Sequence, residues 1–124
     1  MAQGTELGSI ELRNKYTVYA DGNIYRVVST NGRQQFASIV SRHNVDILAN
    51  ALKGQSVSVD DVLDRIERGT IKDLTLNSRG YKIRYEVQYL LLSLVARGDA
   101  TVERDGRKFV YHLRASAGQD TALA

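Results

Sequence analysis

Three dipeptides in which an aspartate or asparagine precedes a glycine constrain the fold of this chain more than any other feature. They are Asp21-Gly22, Asn31-Gly32 and Asp105-Gly106, and each separates two runs of residues that favour extended structure. Such a dipeptide between alternating apolar residues is the strongest short-range signal for a β-hairpin. The sequence therefore predicts an antiparallel meander near the N-terminus and a single hairpin near the C-terminus.

The predicted meander occupies residues 9–40. Its three strands lie at 15–20, 23–30 and 33–40. The third run is ambiguous, because its sequence QQFASIVSRH could instead open a helix. Both faces of the sheet carry apolar residues, so each face requires a cover or a partner.

The registers of the meander follow if each dipeptide forms the whole turn. Tyr19 then lies opposite Ile24, and Val27 lies opposite both Tyr16 and Phe36. Because side chains alternate between the faces of a strand, one face is predicted to form a core. Its residues are Tyr16, Val18, Tyr25, Val27 and Phe36.

Two short helices are predicted to follow the meander. Ser41 or Asn44 can cap the first helix. Ser58 caps the second and forms a capping box with Asp61, whose charge also suits the positive end of the helix dipole. The connection at 70–80 is predicted to be either a strand or a loose helical turn.

A long helix is predicted from residue 82 to 97, closed by Gly98. At 100° per residue its core stripe consists of Ile83, Val87, Leu90, Leu91 and Leu94. A second apolar stripe lies on the opposite side and consists of Tyr85, Tyr89, Leu92 and Ala96. Monomers seldom leave such a patch bare, so we expect the meander to cover this second stripe.

The C-terminal hairpin packs one face on the helices, with Val102 opposite Phe109. At its tip Arg104 lies opposite Arg107 in the predicted register. Like charges opposite each other are mildly unfavourable in a hairpin, so we expect the tip to serve a purpose such as contact with phosphates.

Composition limits the class of protein. Of 124 residues 43% are hydrophobic, which is enough for one domain, and the lack of cysteine excludes disulfides and thiolate chemistry. The apolar runs are too short to span a membrane and the N-terminus lacks an export pattern, so we expect a cytoplasmic protein without membrane contact. Residues 79–114 hold eight basic and four acidic side chains, which points weakly to a polyanionic partner.

Catalysis is not predicted. The sequence has no nucleophile elbow, phosphate loop or paired-histidine motif. Asp60 and Asp64 share a helix face but have no further metal ligand nearby in sequence. His43 precedes a helix and His112 lies on the hairpin without an evident partner, so we predict no catalytic residue, no metal and no cofactor.

The stretch VQYLLLSLVARGDATVERDGRKFVYHL, at 87–113, resembles the recognition helix and wing of MarR- or ArsR-like bacterial regulators. The resemblance implies an α+β fold in which a winged helix-turn-helix domain, three helices plus a hairpin wing at 41–114, follows the meander. Residues 1–8 and 115–124 are predicted to be flexible. The chain departs from the pattern at 70–82, where those families keep a tighter turn, and in having the meander.

The resemblance implies a DNA-binding transcriptional regulator that acts as a homodimer. The start of the third helix would enter the major groove of double-stranded DNA, and the wing would follow the backbone or minor groove. Glu86 and Asp105 oppose tight binding. The predicted DNA-binding residues are Ser78, Arg79, Lys82, Arg84, Tyr85, Tyr89, Arg104, Arg107 and Lys108.

Two other classes of function remain open. The first is a protein–protein interaction module without DNA binding, which would use the meander or the side of the long helix that carries Tyr85, Tyr89 and Leu92. The second is binding of RNA or single strands through the sheet. Its candidate residues are Lys15, Arg26 and Arg33 with Tyr16, Tyr19 and Tyr25.

Overall fold

The computed structural model describes residues 4–115, which form three helices and two antiparallel sheets. In chain order the elements are β1 (Thr5–Glu11), β2 (Lys15–Asp21), β3 (Ile24–Asn31), β4 (Gln34–Ser41), α1 (Arg42–Ala51), β5 (Ser56–Val57), α2 (Val59–Glu67), α3 (Lys82–Ala96), β6 (Ala100–Asp105) and β7 (Lys108–Leu113). The first sheet has the order β1-β2-β3-β4, and the second has the order β5-β7-β6. Residues 1–3 and 116–124, which include most of the predicted tail, lie outside the described residues.

The first sheet has four strands, one more than the sequence indicated. Residues 5–8, predicted to be flexible, belong to β1, which pairs with β2 along its length. Ile10 of β1 is buried and Leu7 packs against the core. The prediction failed because this segment carries few residues that favour strands, and it becomes a strand through backbone pairing with β2.

All three hairpin loops lie one residue further along the chain than predicted. The two-residue loops are Gly22-Asn23, Gly32-Arg33 and Gly106-Arg107. The glycine is the first residue of each loop and has a φ of +64°, +62° or +67°, respectively. A left-handed φ at this position suits glycine, since it lacks a Cβ.

This displacement changes the predicted partners along the strands. Val27 pairs with Val18 and Ser38. Its predicted partners, Tyr16 and Phe36, both pair with a residue two positions further along β3. The other predicted pairs that are wrong for this reason are Tyr19 with Ile24, Val102 with Phe109, and Arg104 with Arg107.

The prediction of which face lies in the core survives, because a displacement of two residues keeps each side chain on its face. The predicted core residues of β2 and β3 are buried; these are Tyr16, Val18, Tyr25 and Val27. Phe36 lies on the same face but is exposed, since it belongs to the first half of β4, whose residues are all exposed.

Helix α3 lies between the two sheets and contacts all four strands of the first one. The stripe of Leu92 and Ala96 turns toward the meander, since Ala96 lies beside the backbone of Gly8 in β1. Leu90, Leu91 and Leu92 are fully buried although they point in different directions around the helix. The expected cover of the second stripe is therefore confirmed for Leu92 and Ala96 but not for Tyr85, which is half exposed, and one continuous core joins the meander to the helices.

The predicted winged helix-turn-helix architecture is wrong. The structure is a four-stranded meander followed by three helices and a small C-terminal sheet, to which β5 adds a strand beside β7. In a winged helix-turn-helix domain, the recognition helix keeps one side free to enter the major groove. Here α3 is apolar on two opposite sides, so the lowest free energy is reached by burying both, and the meander takes the place of solvent.

The N-terminal ends of α1 and α2 follow the predicted capping chemistry. The hydroxyl of Ser41 accepts a hydrogen bond from the backbone N–H of Asn44 at 3.3 Å, and Ser58 with Asp61 forms a complete capping box at the start of α2. The side chain of Asn44 donates to the carbonyl of Thr75 at 2.7 Å. The connection at 70–80, predicted as a strand or a helical turn, forms neither, and its bonds to Asn44 anchor it to α1.

The guanidinium of Arg97, directly after α3, joins three parts of the chain. It donates to Asp46 of α1 and to Asp99, both at 2.6 Å, and to the hydroxyl of Tyr25 in β3 at 3.1 Å. Burial by itself lowers the pKa of Arg97, but these three acceptors outweigh it and hold the pKa above its ordinary value. Arg97 thus stays charged and ties the meander to the helices.

Candidate nucleic-acid interface

Four cationic side chains from three separate segments line one groove of about 290 Å³. Arg13 comes from the turn between β1 and β2, Arg84 from α3, Arg107 from the turn between β6 and β7, and Lys108 from the start of β7. We call this the basic groove. Its other lining residues are Ser58, Val59, Asp60, Tyr85, Gln88, Phe109 and Tyr111.

The wall of the basic groove that α3 provides is a short stripe that neither sheet covers. Arg84, Tyr85 and Gln88 line the groove, and Gln88 follows the other two by four and three residues, which places all three on one side of the helix with Tyr81 one turn earlier. Tyr81 is 77% exposed and Tyr85 is 50% exposed. This exposed stripe ends where α3 enters the core, so about two turns of the helix are accessible to a partner.

The acidic groups beside the groove are held by local partners. Asp60 pairs with Arg84. Asp61 accepts a hydrogen bond from the backbone N–H of Ser58 at 2.9 Å, and this bond is the main reason that its pKa lies below the ordinary value. The charge of Lys108 lowers the pKa of Asp61 further, against the opposing effect of burial.

Two cations of the groove have no such partner. Within residues 4–115, neither Arg13 nor Arg107 forms an ion pair. A charged group that faces solvent without a counter-charge is available to an anionic ligand, and guanidinium groups match the geometry of phosphate oxygens. The groove therefore presents more positive than negative charge to solvent.

The like-charge pair predicted at the hairpin tip does not exist. Arg104 pairs with Phe109, and its Nε donates to the carbonyl of Gly106 at 3.0 Å. Asp105 pairs with Lys108 across the loop. Arg104 belongs to the pair before the last pair of the ladder. It lines a different cavity, of about 700 Å³, between β1 and the hairpin.

The predicted DNA-binding residues are divided by α3. Arg84, Tyr85, Arg107 and Lys108 meet at the basic groove. On the other side of the helix, a pocket of about 380 Å³ between α3 and β4 contains the other predicted residues, except Arg79 and Arg104. These are Ser78, Lys82 and Tyr89, with Tyr85 bordering both spaces. Arg79 is exposed in the turn before α3.

Glu86, which the sequence analysis counted against DNA binding, lies away from the surface. It is 6% exposed, and its carboxylate accepts hydrogen bonds from the backbone N–H groups of Asn77 at 3.1 Å and Ser78 at 2.7 Å. These bonds provide acceptors for the backbone N–H groups of the turn before α3, where no side chain caps the helix. Glu86 therefore positions the start of α3 and adds no exposed negative charge to it.

The other candidate groups have local roles. His112 lies 2.6 Å from the hydroxyl of Ser56 and 2.7 Å from the carboxylate of Glu103, so its two ring nitrogens both have partners. Asp64 pairs with Arg68. Within the part of the chain that the structure describes, no group of three or more histidine, cysteine or acidic side chains could hold a metal ion.

The sheet offers little to single-stranded RNA. Tyr16 and Tyr25, two of the three aromatic residues proposed to stack on bases, are buried in the core. Arg26 forms an ion pair with Asp21 at 3.1 Å. The RNA interpretation therefore loses most of its stacking surface, because the alternation of the strands sends these tyrosines toward α3.

Sequence reasoning missed Arg13 and Gln88 in the groove. Gln88 lies one turn after Arg84, and the helical period could have identified it. Arg13 reaches the groove only because β1 pairs with β2, and β1 itself was not predicted. No sequence signal links this arginine to the hairpin turn more than ninety residues later.

Comparison with known proteins assigns no relative. No family model matches the sequence, and no curated protein or solved structure shows significant similarity to it. The resemblance of residues 87–113 to bacterial regulators therefore stays a prediction, and a functional proposal depends on the geometry of the site.

None of the helices within residues 4–115 has the length and apolar character that a membrane crossing requires.

Proposed function

We propose that this chain binds double-stranded DNA through the basic groove. The observation that carries the proposal is the convergence of Arg13, Arg84, Arg107 and Lys108 from three separate segments on one concave surface. Two of these, Arg13 and Arg107, have no ion-pair partner within the described residues. Release of counterions from DNA rewards such a cluster, since each neutralised phosphate contributes to affinity.

The shape of the surface favours contacts to the DNA backbone over readout of bases. Helix α3 exposes about two turns before the core surrounds it, so it cannot lie along a major groove in the manner of a free recognition helix. Tyr85 and Gln88 lie between the cations and can donate hydrogen bonds to phosphate or sugar oxygens. We therefore propose binding with limited sequence preference.

A role in transcription regulation and a cytoplasmic location belong to the same proposal. Both are compatible with DNA as the partner. Absence of catalysis also stays a prediction.

The test is binding of the chain to a random duplex at several salt concentrations. If the groove contacts phosphates, affinity falls steeply with salt. The double variant Arg107→Glu, Lys108→Glu removes two phosphate contacts, so the slope of log affinity against log salt should fall by about 2. Its matched control is Lys53→Glu, Lys72→Glu, which changes charge equally at exposed positions outside the groove.

The proposal fails if the groove variant and the control variant bind the duplex equally well, or if binding by the unmodified chain does not respond to salt. Thermal unfolding of each variant establishes that the fold is intact, because all four positions are exposed.

A further inference from the structure

Strand β4 is an edge strand without the usual protection against pairing. Within residues 4–115 its outer side pairs with no other strand. Its eight residues, QQFASIVS, include no charged residue and no proline, and they pair with β3 in an uninterrupted register. Natural edge strands are normally protected by charge, proline, a bulge or a cover, since free backbone groups accept another strand.

Of the other three edges, β1 and β6 carry that protection and β5 is only two residues long. Strand β1 has glutamates at positions 6 and 11, and its register is broken between Glu6 and Gly8. Strand β6 ends in the charged run Glu103, Arg104 and Asp105. The lack of protection is therefore specific to β4 and not a general feature of the molecule.

The exposed apolar side chains concentrate beside the same strand. The large hydrophobic side chains that are most exposed are Phe36 at 59%, Ile39 at 58%, Tyr81 at 77% and Tyr85 at 50%. Ile39, Tyr81 and Tyr85 line the 380 Å³ pocket between β4 and α3, together with Ser38 and Val40. Phe36 lies two residues before Ser38 on the face that turns toward the helices.

We propose that β4 pairs with β4 of a second copy of this chain. The two strands run antiparallel, and a two-fold axis relates the two copies. Such an axis stands perpendicular to the sheet and keeps the helices of both copies on one side. Residues that turn toward the helices must then face each other across the axis. The partner copy's Phe36 consequently lies opposite Ser38 or Val40, at the pocket that Tyr81 and Tyr85 line.

The lack of charge along β4 favours a second copy of β4 as the strand that pairs with it. With the axis at Ala37 or Ser38, every pair formed within residues 34–41 joins two neutral residues, and the remaining residue faces Arg33 or Arg42 just outside the strand. In these registers Arg33 and Arg42, which flank the strand, do not face each other. Pairing of β4 with β1 of another copy would build an open filament, but the bulge and the two glutamates of β1 oppose it.

This dimer does not depend on the proposed DNA binding. Its residues lie on β4 and the start of α3, whereas the cations of the groove are Arg13, Arg84, Arg107 and Lys108; only Tyr85 borders both sites. Molar mass and DNA affinity therefore test the two proposals separately.

The first experiment is the molar mass of the full chain by sedimentation equilibrium, up to about 100 µM, a range that covers weak interfaces of standard size. A dimer is expected. Ile39→Lys should raise its dissociation constant by more than tenfold, since it places a charge on the exposed edge. Thr5→Lys is the matched control on β1 and should leave the dissociation constant unchanged.

The second experiment uses the absence of cysteine from the chain. Single cysteines are introduced at Phe36, Ala37, Ser38 and Thr5 in separate variants, and disulfide formation under mild oxidation is followed. Residues at the two-fold axis approach within disulfide distance, so one of Ala37→Cys and Ser38→Cys should crosslink fastest. Thr5→Cys should crosslink slowly.

A monomer at all concentrations overturns the proposal. It is also overturned by a dimer that Ile39→Lys leaves intact, or by crosslinking that is as fast at Thr5→Cys as at positions 37 and 38. Retention of the monomer fold in each variant is checked by circular dichroism, because the substituted side chains at 5, 36, 37 and 39 are exposed.

Discussion

The two ends of α3 are built for different purposes. Its last two turns are fully buried at Leu90, Leu91 and Leu92, and Arg97 ties the end of the helix to Asp46, Asp99 and Tyr25. Its first turn has no side-chain cap and exposes Tyr81 and Tyr85. One continuous helix therefore provides both the centre of the core and the surface between the two proposed interfaces.

The comparison shows that the burial of side chains on α3 changes along the helix as well as around its axis. Where both sheets cover α3, its side chains contribute to stability. Where neither sheet covers it, the polar and aromatic stripe is free to contact a partner. Substitutions near the C-terminal end should therefore change the free energy of unfolding, and those at exposed positions near the N-terminal end should change binding.

The largest effect is expected from Leu92→Ala, at the buried end. Removing a fully buried leucine side chain leaves a cavity and should lower the free energy of unfolding by about 3 to 4 kcal/mol. Urea unfolding measures the change. A loss below about 1 kcal/mol would mean that the meander does not pack tightly on this side of α3.

Arg97→Met should cost about 3 kcal/mol, because it removes the charge that compensates the largely buried carboxylate of Asp99. The double variant Arg97→Met, Asp99→Leu should recover part of this loss, since no buried charge is then left without a partner. Chemical unfolding of both variants measures it. Equal stability of Arg97→Met and the unmodified chain would contradict the tie between meander and helices.

Glu86→Gln sharpens the comparison near the exposed end. An amide has one acceptor oxygen where a carboxylate has two, and its hydrogen bonds are weaker. The hydrogen bonds donated by the backbone N–H groups of Asn77 and Ser78 are therefore weakened or lost. We expect a loss of about 1 to 2 kcal/mol. Hydrogen exchange should become faster at residues 77 and 78, and unchanged exchange there would show that Glu86 does not position this turn.

Asp61→Asn should cost about 0.5 kcal/mol at pH 7, because the variant loses a negative charge at the start of α2. The pKa of Asp61 is lowered in the folded chain, so its carboxylate stabilises the fold above the unfolded pKa, which lies near 4. This contribution is lost as pH falls through the lower folded pKa. Unfolding measured from pH 7 to 3 should show the two proteins converge, and a gap that widens in acid would contradict it.

The smallest change in stability is expected from Tyr85→Ser, within about 0.5 kcal/mol, since half of the side chain is exposed. The variant should nevertheless weaken DNA binding several-fold, because Tyr85 lines the basic groove. Gln55→Ser, outside the groove, is the control for binding. If Tyr85→Ser destabilises the fold strongly and leaves DNA affinity intact, the division of α3 into a structural end and a binding end is wrong.

Local chemistry made several elements predictable. Ser41 and Ser58 cap α1 and α2 through hydrogen bonds within three residues of themselves, so the sequence contains the whole interaction. The hairpins were predictable for the same reason, although their loops lie one residue further along. The prediction of which side chains share a strand face was correct despite that error, because side chains alternate between the faces with a period of two.

The site was only partly predictable. Arg84, Arg107 and Lys108 were expected at the interface, and the structure brings them together. Arg13 was not expected, because its place depends on the pairing of β1 with β2. The sequence also did not predict that Lys82 lies outside the groove. Which side of α3 faces the groove depends on the elements that pack against the helix.

The sequence by itself determined the three hairpins, the caps of the short helices and the two apolar stripes of α3, because each depends on residues close together in the chain. Only the tertiary structure decided how much of the second stripe is covered, and with it the difference between an exposed recognition helix and a central one. The physical reason is that burial of apolar surface is not directional: a stripe specifies that it must be covered, but not by which surface.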